Sequence, residues 1–175
     1  VYLMGEDQLS LYSVYMSCLG NRPDLFGGGQ YPNASTIKEP TYYEIPPEAL
    51  EDETFKAMIT EAEKYLGFPY VWGGSSPATS FDCSGFLSWV VNHSGWNVGR
   101  LGAQGLYDYC TPVSPTQAKP GDLVFFVGTY DTPGVSHCGL YVGNNTMIHC
   151  GNPISYANIN TNYWQAHFYS FGRLP

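Results

Sequence analysis

The most regular hydrophobic pattern lies between Glu51 and Leu66, where Phe55, Met58, Ile59, Ala62 and Leu66 recur at the spacing of one buried helix face. Acidic Glu51, Asp52 and Glu53 suit the positive end of that helix, and Gly67 stands where a left-handed C-cap belongs. A second helix is expected from about Cys83 to Asn92, burying Phe86, Trp89 and Val90, capped by Asp82 or Ser80 and closed by Gly95. Beyond Pro120 the pattern changes: Leu123 to Val127, His137 to Val142, Thr146 to Cys150 and Phe168 to Arg173 read as strands between Gly, Asn, Pro and Asp clusters. Helices followed by strands predict an α+β fold. A short helix around Gly102 to Tyr109 is also expected, in spite of its glycines.

Upstream, Leu9, Leu11, Val14, Tyr15 and Cys18 give a loose amphipathic helix from about Glu6 to Leu19, stopped by Gly20. From Asn21 to about Pro47, a triple glycine and scattered prolines break any period and read as a linker. The chain is therefore expected to divide into a helical and linker extension, residues 1–50, and a main domain, residues 51–175.

Composition narrows the function. With 43% hydrophobic residues the chain of 175 can build a core, and 15 acids against 7 bases give a net charge of −8 with no basic cluster. Nucleic acid is thus excluded as a partner. The longest apolar run, Leu123 to Val127, is far below the ~20 residues of a bilayer span. The chain begins at Val1, which suggests a fragment with any signal peptide or anchor upstream. Five cysteines (Cys18, Cys83, Cys110, Cys138 and Cys150) form no CxxC pair, so neither a disulfide framework nor a zinc ribbon is indicated and at least one thiol is free.

The chemistry concentrates around Cys83. Phe81-Asp82-Cys83-Ser84-Gly85 places it in the first turn of a helix, after the turn-rich Gly73-Gly74-Ser75-Ser76-Pro77. There the helix dipole and unpaired N–H groups favour thiolate, and the same N–H groups point where an oxyanion would form. The bland alternative is a small buried hydrophobe, the commonest fate of a free cysteine. A nucleophile needs a base. His93 lies ten residues along the same helix, ~15 Å away, and fails on geometry. His137 and His149 flank the turn at Gly143-Asn144-Asn145 and, with Tyr141 opposite Met147 and Gly139 opposite His149, fall diagonally on one hairpin face, ~7 Å apart. One imidazole could then exchange protons with Cys83 while the other orients it. His167 reads as structural.

The opposite hairpin face would carry Cys138 across from Cys150, two core thiols that an oxidising compartment could join. A metal held by His137, Cys138, His149 and Cys150 is defeated by strand alternation, which lets only two of the four share an ion. Gly73-Gly74-Ser75-Ser76 lacks the lysine of a phosphate loop and reads as the turn that delivers Cys83. The 15 tyrosines and 4 tryptophans could line a groove, although most belong to core and rim.

Pro69-Tyr70-Val71-Trp72-Gly73-Gly74, Asp82-Cys83-Ser84-Gly85, Lys119-Pro120-Gly121-Asp122-Leu123-Val124-Phe125-Phe126, Ser136-His137-Cys138-Gly139-Leu140-Tyr141-Val142-Gly143-Asn144 and Met147-Ile148-His149 together resemble the successive motifs of the NlpC/P60 family of cell-wall cysteine peptidases. The resemblance covers about residues 52 to 175. It implies a papain-like α+β fold with the catalytic helix packed on an antiparallel β-sheet, Cys83 as nucleophile, His137 as base and His149 as the orienting third residue, and no cofactor. It further implies Tyr70 beside the oxyanion or substrate, and Asp82 and Ser84 against the peptidoglycan stem peptide. After Arg100-Leu101, where members often carry Ser or Thr, this chain has Gly102, which puts a hydroxyl contact in doubt. The chain also looks like the C-terminal part of cell-wall hydrolases of Gram-positive conjugative transposons, in which such a domain follows a muramidase domain and a membrane anchor. The activity implied is cleavage of the γ-D-glutamyl–diamino acid bond through a thioester, at an extracellular or cell-wall location. Alternatives are an amidase or acyltransferase using the same chemistry, a non-catalytic wall-binding module, and, for residues 1–50, a structural piece of an assembly.

Overall fold

The computed structural model describes residues 37–175, so the helix expected over 6–19 lies outside the described residues. A 3-10 turn, Pro47–Glu51, leads into helix α1, Glu53–Glu63. The helix begins within the acidic run because Asp52 caps it, its carboxylate accepting from the N–H groups of Thr54 and Phe55 at 3.0 and 3.1 Å. Phe55, Met58, Ile59 and Ala62 are buried as the periodicity requires. Gly67 turns the chain at φ +87°, and a Cβ there would stand 2.1 Å from the Lys38 carbonyl oxygen. The same close approach carries the bond from Lys38 N–H to the Gly67 carbonyl at 3.0 Å. It holds the preceding segment against the body, where Ile37, Tyr43 and Ile45 pack on the core.

A minimal hairpin, β1 (Ser75–Ser76) and β2 (Ser80–Phe81), precedes helix α2, Cys83–Asn92, and helix α3, Ala103–Tyr109. Strands β3 (Thr111–Val113), β4 (Leu123–Val127), β5 (Val135–Gly143), β6 (Thr146–Cys150) and β7 (Ile154–Asn158) follow, then helix α4 (Asn162–His167) and strand β8 (Phe168–Arg173). The six strands β3 to β8 form one antiparallel sheet in the order β3-β8-β4-β5-β6-β7. The fold is α+β, as the order of periodicities predicted.

Both faces of the sheet are covered, which explains why β4 reads as an unbroken apolar run. Leu123, Phe125, Cys138, Leu140, Ile148 and Cys150 join the core built with α1 and α2, where Phe81, Phe86, Leu87 and Val90 are fully buried. Each such side chain stabilises the fold by roughly 1.5–3 kcal/mol. Val124, Phe126, Met147 and Phe171 face the other way, toward Trp164 of α4. The pairing of Tyr141 with Met147 matches the register read from the sequence. The turn itself is tighter, because Gly143 pairs with Thr146 and only Asn144 and Asn145, both at positive φ, close the loop.

Candidate active site

Helix α2 opens at Cys83 because Asp82 caps it, its Oδ1 accepting from the Gly85 N–H at 2.7 Å. The other oxygen accepts from the Gly73 N–H at 3.0 Å, so one carboxylate ties the glycine turn to the helix. Gly85 permits this: a Cβ there would meet the Gly74 carbonyl oxygen at 2.0 Å. The turn read from the sequence as delivering Cys83 does so through these contacts. Arg100, from the loop after α2, donates to Asp82 Oδ1 at 2.8 Å and to Ser84 Oγ at 2.9 Å.

Cys83 is 6% exposed, and its Sγ lies 3.8 Å from the Ser136 carbonyl oxygen near the start of β5. Its thiol is lowered to about 5, chiefly by the adjoining Cys138 thiol acting as donor, then by the hydrogen bond and charge of His137, with burial and Asp82 opposing. On the other side of the same strand pair, His137 Nε2 and His149 Nδ1 are 2.8 Å apart. Burial and the charge of His137 hold His149 down to about 3. We assign the proton of this bond to His137 Nε2, with the neutral His149 accepting at Nδ1, because that tautomer leaves His137 Nδ1 for the sulfur. Gly139 gives the pair room, since a Cβ there would stand 3.3 Å from the Cβ of His149.

Tyr70 pairs with Phe81 in an isolated bridge, and its N–H donates to Asn152 Oδ1 at 3.2 Å. Burial and the charges of Cys83 and Asp82 raise its phenol well above the usual value, so it remains a donor. Two cavities adjoin across Tyr70 and Tyr130, which line both. One, of about 290 Å³, is lined by Tyr70, Asp82, Cys83, Ser84 and Arg100; the other, of about 430 Å³, by Tyr70, His137, His149, Asn152 and Trp164. Trp72 and Tyr130 stand exposed at the rim of the first, ring against ring at 5.3 Å.

The structure thus brings together all six residues singled out from the sequence, Tyr70, Asp82, Cys83, Ser84, His137 and His149. His93 bonds the Trp89 carbonyl within its own helix, and His167 bonds the Val127 carbonyl at 2.8 Å, a structural contact. Cys83, Cys110, Cys138 and Cys150 are free thiols, so the cross-strand Cys138–Cys150 disulfide does not form here. Sequence reasoning did not assign Arg100, Asn152 or Trp164 to the site. Arg100 carried a signal, as one of only seven bases and close after the helix that Cys83 opens.

Comparison with known proteins identifies relatives of the chain. A profile of the NlpC/P60 family matches residues 67–173. The chain is 41% identical over 121 residues to the bifunctional muramidase/DL-endopeptidase CwlT of Bacillus subtilis, an alignment covering 69% of this chain and 36% of that protein. It is 48% identical over 120 residues to a probable endopeptidase p60 of Listeria innocua, covering 67% and 24%. The chain therefore spans about a third or less of the curated relatives it matches. Among solved structures, an NLP/P60 family protein similar to lipoprotein from Staphylococcus aureus superposes with a TM-score of 0.68 at 41% identity, covering 79% of this chain and 45% of that one. The NlpC/p60 domain of the peptidoglycan hydrolase SagA gives 0.56 at 31%, covering 69% and 98%. With the family profile spanning more than half of the chain, the chain belongs to the NlpC/P60 family.

Proposed function

We propose that this domain is a cysteine endopeptidase of peptidoglycan stem peptides, cleaving the bond between γ-D-glutamate and the diamino acid that follows it. The observation that carries the reading is the acidic thiol of Cys83 at a helix N-terminus beside His137, whose far nitrogen is bonded to a neutral His149. The printed names of the relatives, DL-endopeptidase among them, and a γ-DL-glutamyl hydrolase of Bacillus subtilis at 36% identity over 62% of this chain, support it.

Cys83 thiolate attacks the γ-carbonyl carbon, and the electron pair moves to the carbonyl oxygen. The Cys83 N–H, which needs no intrahelical acceptor, and the Tyr70 hydroxyl stabilise that oxyanion in this reading. Collapse breaks the C–N bond as His137 Nδ1 gives its proton to the departing amine. Water then attacks the thioester, His137 Nδ1 takes its proton, and the thiolate leaves to restore the starting pair. Because the acid that serves the amine lines the larger cavity, the diamino acid leaves there. The acyl half occupies the smaller one, where Asp82, Ser84 and Arg100 offer complementary charge to an amine and a carboxylate. Such a substrate belongs to the cell wall, which supports an extracellular site of action, and the name of CwlT supports a partnership with a muramidase domain.

The test is digestion of purified muropeptides with diaminopimelate or lysine as third residue, read by mass spectrometry. The wild-type domain is expected to release fragments with a new C-terminal γ-D-glutamate, and Cys83→Ala to release none while keeping a native melt. Fragments cut at the L-alanine amide instead would make it an amidase, and intact muropeptide that nevertheless binds would make it a wall-binding module.

A further inference from the structure

Helix α4 contributes nothing to the reaction as written, yet its Trp164 is the most heavily engaged ring near the two histidines. It stacks on His137 at 5.3 Å and 25°, meets His149 edge-on at 5.3 Å and 86°, and rests on Phe126 at 4.6 Å. The helix that carries it is pinned at both ends. Thr161 Oγ accepts from the Trp164 N–H at 3.3 Å, Gln165 Nε2 donates to the Ile159 carbonyl at 3.0 Å, and His167 bonds the Val127 carbonyl of β4 at 2.8 Å. Trp164 is half-buried and also lines the larger cavity.

We propose that Trp164 is a positioning residue: its indole, fixed by the two ends of α4, covers the His137–His149 hydrogen bond and holds the His137 ring with Nδ1 turned toward Cys83. The need for such a clamp follows from the hydrogen bond itself. The intrinsic χ2 preference of histidine is broad, so an N–H to N bond between two rings on one sheet face has only its own modest strength to hold both rings in place, and water that competes for it releases them. A flat ring stacked on one imidazole and perpendicular to the other blocks both rotations at once. It also keeps water from competing for His149 Nδ1, which preserves the tautomer that leaves His137 Nδ1 free for the sulfur. An indole face further favours the cationic state through which His137 passes.

The inference rests on the proposed reaction, and the test separates the two. In Trp164→Phe a ring remains on His137, so kcat is expected within about threefold of wild type. In Trp164→Leu, kcat is expected to fall tenfold or more with KM within twofold and the thermal melt unchanged. If the leucine variant melts abnormally, Trp164→Gln, suited to a helix position half in solvent, replaces it. The activity-independent readout is the downfield proton resonance of the His137–His149 bond. It is expected in wild type and Trp164→Phe, and lost to solvent exchange in the non-aromatic variants. In a His149→Ala background, Trp164→Leu is expected to cost markedly less, since the bond it protects is gone. A persistent resonance in the non-aromatic variants, or a full additional loss in the His149→Ala background, overturns the proposal. Absence of hydrolysis by wild type with the resonance following this pattern would instead overturn the proposed reaction alone.

Discussion

Replacing Cys138 by valine tests what makes the Cys83 thiol acidic. Cys138 is wholly buried, and its thiol is the largest influence lowering Cys83, ahead of His137 and against the cost of burial. Valine keeps an apolar side chain of similar size in the core but cannot donate, so the Cys83 thiol is expected to rise by about one to two units. The assay is the rate of alkylation by iodoacetamide as a function of pH, with the midpoint expected to move from about 5 to between about 6 and 7. A single-pH rate would understate the change, because a more basic thiolate is also more nucleophilic, with a Brønsted slope of ~0.4–0.5. Cys138→Ser retains a donor and is expected to hold the midpoint close to that of the wild type. An unmoved midpoint in the valine variant, with a native melt, would refute the reasoning and assign the acidity to the helix terminus and His137.

Three further outcomes follow from the same contacts. His137→Ala is expected to lower kcat by ~10²–10⁴, the usual worth of a proton-transfer group, and His149→Ala by clearly less; equal losses in steady-state kinetics would contradict the roles given to the two rings. His149, held down to about 3 when folded, gains its proton in the unfolded chain near ~6.5, so stability falls as pH drops through that window, by up to about 4–5 kcal/mol. Urea melts at pH 7 and pH 4 in a Cys83→Ala background, where the thiol no longer titrates, are expected to show about 3 kcal/mol of that loss, and His149→Asn to reduce it; the same loss in both chains would contradict it. Gly102 caps α3 without a side chain and borders open space in the smaller cavity. Gly102→Ser is expected to add a few tenths of a kcal/mol through the cap and to lower KM through a new hydroxyl, whereas a raised KM would show that the space itself is needed.

The parts of the fold legible in the sequence are those whose burial is one-sided or whose ends are chemically marked. Helix α1 declared itself by Phe55, Met58, Ile59 and Ala62, and α2 by Asp82 at its cap. Strands β4 to β6 were readable because Gly, Asn and Pro punctuate them. Strand β7, Ile154–Asn158, was not: only its first residue is fully buried, so Ser155, Tyr156 and Ala157 give no alternation to follow. Strand β3 is three residues at the sheet edge with Pro112 at its centre, a position that edge pairing tolerates but sequence signals argue against. Helix α4 has six residues, too few for a period to emerge, and buries none of them fully.

The same distinction divides the site. Cys83 and Asp82 were legible because a helix N-terminus is a local feature, and His137 with His149 because alternation across one tight turn fixes which side chains share a face. In both cases the reactive geometry is written within a dozen residues of chain. Arg100 and Trp164 reach their partners across loops whose course no short pattern encodes, 18 residues from Asp82 for one and 27 and 15 from His137 and His149 for the other. The residues that perform the proposed chemistry are therefore set by secondary structure, while those that hold them are set by tertiary packing. A domain built this way can exchange the covering helix or the cleft cation and so alter rate or substrate while Cys83, His137 and His149 stay fixed.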